Sequence, residues 1–244
     1  MQTFSPPPGR TRARVRLLAV VGLVLTAVLA LAACGGGSSA PTATQLLQKA
    51  QTEWSTTTTL HFIMTVTNPG TGTLDSPYPT AATGDVKRPD AMSADATVDI
   101  SGVSLSTKAV IVNGTGWYLV PIINQWQTTD EFNSFLLIFD SQKGLGALLT
   151  QLTNPSKPAD GSANGTPCWK VSGTLDPALL TPLFGSTTAT APVPTSFCIG
   201  KSDNRLYSAA LTGNIITGDK STTVHTFFLS KFGETVTVTP PPGN

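Results

Sequence analysis

The chain has 244 residues, with 15 basic and 14 acidic side chains, and only 12% of its residues are charged, about half the ~25% usual for soluble proteins. No clustered basic face for nucleic acid can be built from that stock. Two histidines and three cysteines leave metal and acid–base chemistry few candidates.

Residues 1–33 read as a secretory signal peptide. Arg10, Arg12, Arg14 and Arg16 form a basic start, Leu17 to Leu31 is uncharged, and Ala32 and Ala33 give a small-residue exit. The alternative, a membrane-spanning helix, needs ~20 apolar residues, and this stretch holds fifteen before Gly35-Gly36-Gly37-Ser38-Ser39. Leu31-Ala32-Ala33-Cys34-Gly35 resembles the lipobox of bacterial lipoproteins, which implies cleavage before Cys34 and acylation of its sulfur. Residues 34–43 are then a lipidated, flexible tether, and the expected location is the extracytoplasmic face of the cell membrane, held by the lipid anchor. Without the leader, 11 basic residues face 14 acidic ones, a net charge of −3.

Residues 44–239 form the expected folded domain, with 240–244 a disordered tail. Thr44 to Trp54 puts Leu46, Leu47, Ala50 and Trp54 at helical spacing. Leu60 to Thr67 is a strand, ended by Asn68-Pro69-Gly70. From Gly84 the pattern is β, and Met92, Ala94, Ala96, Val98 and Ile100 alternate with polar residues, so that strand has one dry and one wet face. Val103 to Val112 returns beside it, Asn113-Gly114 signals a hairpin, and Trp117 to Val120 follows.

The centre changes character. Phe132, Phe135, Leu136, Leu137, Ile138 and Phe139, then Leu145, Leu148, Leu149 and Leu152, give two helical runs with almost no charge. Such helices are buried on several sides or touch something greasy. Asn154 to Thr166 is expected as a polar loop, Cys168 to Leu175 as a strand, and Asp176-Pro177 as the start of a short helix through Phe184. A meander of Ser196–Lys201, Leu206–Gly213 and Ser221–Phe232 completes an α+β domain: an antiparallel sheet of about eight or more strands with helices on one face.

With Cys34 assigned to lipid, Cys168 and Cys198 remain as an even pair in an oxidising compartment, which predicts a disulfide; two buried free thiols are the alternative. His61 and His225 sit beside aromatic residues in strands and read as packed or surface histidines. Gly200-Lys201-Ser202 lacks the glycine a phosphate loop needs, because Thr195 stands there. Ser202-Asp203-Asn204 has no Ser-x-x-Lys companion. Asp95 and Asp99 share the wet side of one strand, where solvated carboxylates are normal. Asn113-Gly-Thr115 and Asn164-Gly-Thr166 fit the glycosylation pattern, which carries little weight in a bacterial lipoprotein. No enzyme, metal or cofactor is expected.

Gly84-Asp85-Val86-Lys87-Arg88-Pro89-Asp90, Val110-Ile111-Val112-Asn113-Gly114, Trp117-Tyr118, Asn124-Gln125-Trp126, Phe197-Cys198-Ile199 with Leu206, and Phe228-Leu229-Ser230-Lys231-Phe232-Gly233 together resemble the LppX/LprAFG lipoproteins over nearly the whole domain. The resemblance implies a U-shaped half-barrel of antiparallel strands, similar to LolA and LolB, with helices on the concave face around an apolar cavity. It further implies a non-enzymatic role in binding and moving an acylated lipid or glycolipid, with a membrane transporter as a further partner. If the cavity is open, Val98, Ile100, Val103, Leu105 and Ile111 should line its sheet side and Leu136, Leu137, Leu148, Leu149 and Leu152 its helix side, since acyl chains require walls free of unpaired charge. The alternative is a surface-anchored sensor or protein-interaction module with a filled core.

Overall fold

A computed structural model of the chain describes residues 1–3, 41–129, 133–185 and 187–242. Cys34, the leader and most of the tether lie outside the described residues, as do Phe132, Ser186 and the last two residues. Pro41–Asn244 is one compact unit.

Helix α1 (Ala43–Thr56) begins where Thr42 and Gln45 exchange side-chain-to-backbone hydrogen bonds in a capping box, which satisfies two amides that the helix itself leaves free. Leu46, Leu47, Ala50 and Trp54 are buried on its inward face. The helix ends against Arg88, whose Nη1 donates to the carbonyls of Trp54 (2.6 Å) and Thr57 (2.7 Å). Its guanidinium lies 4.1 Å from the Trp54 ring centroid, a cation at the negative end of the helix dipole. Burial lowers its pKa to about 10, with Asp140 opposing the shift.

Among the described residues, eleven strands form one open antiparallel sheet in the order β6-β5-β4-β3-β2-β1-β11-β10-β9-β8-β7. They are β1 (Thr59–Thr67), β2 (Tyr78–Lys87), β3 (Ala91–Ile100), β4 (Val103–Val112), β5 (Thr115–Val120), β6 (Gln125–Thr129), β7 (Ala159–Ala163), β8 (Thr166–Leu175), β9 (Val193–Gly200), β10 (Leu206–Thr212) and β11 (Val224–Ser230). The sheet is a half-barrel, open rather than closed, with short helices gathered on its concave face: α2 (Asn133–Leu137), α3 (Leu145–Leu149) and α4 (Thr181–Phe184), the last entered through a 3₁₀ turn at Pro177–Leu179. Strict alternation sets the inner face. Met92 pairs with Ile111, Val98 with Leu105 and Ile100 with Val103, so the dry sides of β3 and β4 coincide.

Eleven strands fit the expectation of about eight or more, and the two edge strands are nearly patternless. β6 reads Gln-Trp-Gln-Thr-Thr and β7 reads Ala-Asp-Gly-Ser-Ala, short and polar as sheet edges tend to be. The expected polar loop therefore contains β7, and its Asn164-Gly165 pair (φ 47° and 82°) repeats the Asn113-Gly114 turn (φ 52° and 80°), both suited to a type I′ hairpin. β2 begins at Tyr78, six residues before the first strong β signal. In the tail, Pro241 is buried against the domain.

α1 and α3 meet at Gly146. A Cβ there would lie 1.9 Å from Trp54 Cδ1, while the Trp54 indole N–H is held by the Asp140 carbonyl at 2.9 Å and cannot easily yield. Gly146→Ala is expected to cost about 1–3 kcal/mol by overpacking, outweighing the gain in helix propensity of at most ~1 kcal/mol. Chemical denaturation with an unchanged m-value would check this.

Candidate functional site

The inner face of the sheet is filled mainly by the protein's own side chains. Phe62 and Phe139 stack at 4.7 Å between centroids, Phe135 lies 5.9 Å from each, and Phe227 joins Phe139 to Phe184. A hollow of about 280 Å³ lies beside this cluster, between β1, β2 and β11 and the helices α2 and α4. Its walls are Met64, Phe135, Ile138, Leu183, Phe184 and Ile216, with Ser76, Pro77, Tyr78, Pro79, Ser134, Thr217 and His225 around one end.

That end is built on a buried carboxylate. Asp219 Oδ1 accepts from the Tyr78 hydroxyl. Its Oδ2 accepts from the amides of Ile215 and Ile216, each at 2.8 Å, and from His225 Nε2 at 2.9 Å. The Asp219 and His225 side chains are 0% and 2% exposed. Burial by itself raises the Asp219 pKa, but the hydrogen bonds from His225, Tyr78 and the Ile216 amide outweigh it and hold the carboxyl below its ordinary value. Burial, reinforced by the Asp219 acceptor, pushes the Tyr78 phenol upward. A carboxylate with its acceptor sites engaged in this way holds structure. What it holds is the loop 213–223 against the start of β2, and Thr223 Oγ1 completes the junction by donating to the Asn68 carbonyl at 2.8 Å.

The ten residues expected around a cavity are distributed differently. Ile111, Leu148, Leu149 and Leu152 are buried in the core, behind or beside α1. Leu136 packs half-buried against that core. Val98, Ile100 and Leu105 face inward and are half-buried, while Val103 is 58% and Leu137 36% exposed. None of the ten borders the hollow. The residues that do were partly visible in the chain: Phe135 and Ile138 belong to the uncharged segment, and His225, Phe227 and Leu229 alternate inward on β11, which assigns His225 to the dry face. His61 faces outward, 2.8 Å from Asp85.

A larger depression of about 510 Å³ lies on the opposite, outer face. The row Met64, Ala82, Ala96 and Thr107 supplies its floor, and Thr65, Ala81, Thr83, Thr97 and Ser106 supply much of its walls. The Lys108–Asp95 ion pair at 2.8 Å crosses it. It opens to solvent on the face away from the helices, and the ion pair lies among its short Ala, Ser and Thr side chains.

Cys168 and Cys198 form the disulfide, on the outer face, with Cα atoms 5.5 Å apart and Ala163, Tyr207 and Phe228 around them. Among the described residues no group of three or more His, Cys, Asp or Glu could hold a metal ion, and no helix is long and apolar enough to cross a membrane.

The architecture is an open antiparallel half-barrel whose concave face carries short, uncharged helices. The chain belongs to the LppX_LprAFG lipoprotein family, whose model matches residues 42–238. It is 29% identical over 237 residues to the lipoarabinomannan carrier protein LprG of Mycobacteroides abscessus, covering 94% of this chain and 99% of that one. It is 27% identical over 258 residues to LprG of Mycobacterium tuberculosis, covering 96% and 98%. Among solved structures, LprF from Mycobacterium bovis superposes with a TM-score of 0.66 at 21% identity, covering 82% of this chain and 97% of that one. Mycobacterium tuberculosis LppX gives 0.58 at 16%, covering 81% and 98%. The family is one of lipoprotein carriers, not of enzymes.

Proposed function

We propose that this protein is a non-enzymatic carrier that holds the acyl chains of a lipid or glycolipid against the concave face of its half-barrel. In this reading residues 1–33 are removed, Cys34 carries the lipid anchor on the extracytoplasmic side of the cell membrane, and residues 34–43 tether residues 44–239. A membrane transporter is the partner that supplies or receives the lipid.

The observation that carries the reading is the hollow itself. Its lining contains the aliphatic and aromatic residues Met64, Phe135, Ile138, Leu183, Phe184 and Ile216 and not one lysine, arginine, aspartate or glutamate, with Tyr78, Thr217 and His225 as neutral polar groups for a head group. At about 280 Å³ it lies at the small end of the ~300–1,000 Å³ typical of ligand sites, so cargo must widen it. The elements that would yield are α2 and α4, of five and four residues, too short to be stable except through packing. With them displaced, Val98, Ile100, Leu105 and Leu136 extend the apolar track, and Ile111, Leu148, Leu149 and Leu152 back it as a fixed wall. Val103 and Leu137 lie at its margin.

Native mass spectrometry of the protein purified from a lipid-containing host should show a bound lipid. Ile216→Trp, which places an indole at a half-buried position on the hollow, is expected to reduce bound lipid several-fold while leaving the melting transition nearly unchanged. Protein that is lipid-free in every preparation, and an Ile216→Trp variant indistinguishable from wild type in lipid uptake, would favour the filled-core interaction module instead. The phenylalanine cluster at the centre of the concave face is the feature that reading would rest on.

A further inference from the structure

The antiparallel order brings the loop 68–77, the turn 101–102 and the turn 121–124 to one end of the sheet, because β1, β3 and β5 all run toward it. Large aliphatic side chains stand exposed there: Leu74 (73%), Val103 (58%), Ile122 (78%) and Ile123 (52%). We propose that this end of the half-barrel inserts into the surface of a lipid bilayer, so that cargo enters the hollow directly from the membrane.

Four features favour bilayer over protein. First, the aliphatic residues stand on separate tips divided by Gly, Pro, Ser and Asn; the turns 101–102 and 121–124 are two strands apart, about 10 Å, with the second set further back along the strands. Separate protruding tips suit a fluid partner better than the contiguous flat patch a protein interface requires. Second, the three loops contain a single charged residue, Asp75, and the neighbouring loop 213–223 adds one exposed cation, Lys220, whereas Lys87, Arg88, Lys201, Arg205 and Lys231 lie at the opposite end. Third, several loop amides are already paired: Ser101 N donates to Gly72 O at 3.0 Å, Thr73 N to Ser76 O at 2.9 Å and Asn124 N to Val120 O at 2.9 Å. The amides of Gly72 and Gly102 both donate to the Asp99 carboxylate, at 3.1 and 3.2 Å. Peptide groups paired in this way can leave water at little cost. Fourth, the same end carries one side of the hollow, at Ser76, Pro77, Tyr78 and Pro79.

The inference rests on the carrier reading for its purpose but not for its readout. Pro41–Asn244 is a compact unit holding every residue of the core, so this segment, free of leader and anchor, is the material to use. Flotation with phosphatidylcholine vesicles should carry the wild-type segment upward. The quadruple variant L74S/V103S/I122S/I123S should partition roughly a hundredfold less, given the apolar area withdrawn, with its melting temperature unchanged because all four positions are exposed. Lys231→Ser, at the far end, should float as wild type. Adding phosphatidylglycerol or salt should change little, since no basic cluster draws the rim to anionic lipid. A wild-type segment that stays in the aqueous phase, or a quadruple variant that floats equally well, overturns the proposal. The carrier reading fails on a different measurement, the absence of bound lipid, and flotation can persist without it.

Discussion

Asp219→Ala is expected to be the most destabilising single substitution in the domain, lowering stability by about 3–5 kcal/mol and the melting temperature by on the order of 10 °C. The side chain is 0% exposed and receives the Tyr78 hydroxyl, His225 Nε2 and the amides of Ile215 and Ile216. Removing it takes the acceptor from the Tyr78 hydroxyl, His225 Nε2 and the Ile216 amide, while the Ile215 amide keeps the Gly213 carbonyl at 3.0 Å, and each buried donor left unpaired is costly. Asp219→Asn, which retains one acceptor oxygen, should fall between wild type and alanine.

The effect has a defined pH window. The carboxyl's pKa is lowered in the folded protein from an ordinary value of 3.8. Its contribution is therefore complete above that value and is lost as pH falls through the lower, folded-state value. Thermal melts of wild type and Asp219→Ala should differ fully at pH 7 and converge below about pH 4. A constant gap across that range would show that the carboxylate's charge contributes nothing. Because this junction holds the loop 213–223 at the end of the hollow, hydrogen exchange in that loop should accelerate in the variant before the strands respond.

The second large effect is expected from the disulfide. Cys168 and Cys198 close a loop of 30 residues, which on the chain-entropy model restricts the unfolded state by ~3–4 kcal/mol. The double serine variant should lose about that much in urea titrations, and reduction of the wild type should bring it to the same level. The bridge joins β8 and β9 on the outer face, away from the hollow, so lipid content should be unchanged. A fall in bound lipid matching the fall in stability would tie cargo retention to the whole sheet rather than to α2 and α4.

Elements whose identity rests on local pattern were legible in the chain. Helix α1 carried its face at Leu46, Leu47, Ala50 and Trp54, and β3 and β4 their alternation, because a period of 3.6 or 2 is imposed by the element's own geometry. Strands β6 and β7 were not legible, since an edge strand with little to bury shows no dry face. The inward residues Val98, Ile100, Leu105 and Ile111 were assigned to the correct face of the sheet, yet facing inward does not decide whether a side chain meets a neighbour or a void.

Sequence by itself determined the export and lipidation signals as expectations, the mostly antiparallel class, the pairing of the two remaining cysteines and the family. These follow from residue types in local or counted arrangements. Only the tertiary structure decided where space remains inside the half-barrel, that His225, Tyr78 and Asp219 meet beside it, and that Leu74, Val103, Ile122 and Ile123 stand exposed at one end of the sheet. A cavity is the difference between two nearly equal volumes, the room the backbone encloses and the side chains that enter it. That difference depends on the relative placement of elements distant in the chain, about which composition and periodicity carry no information.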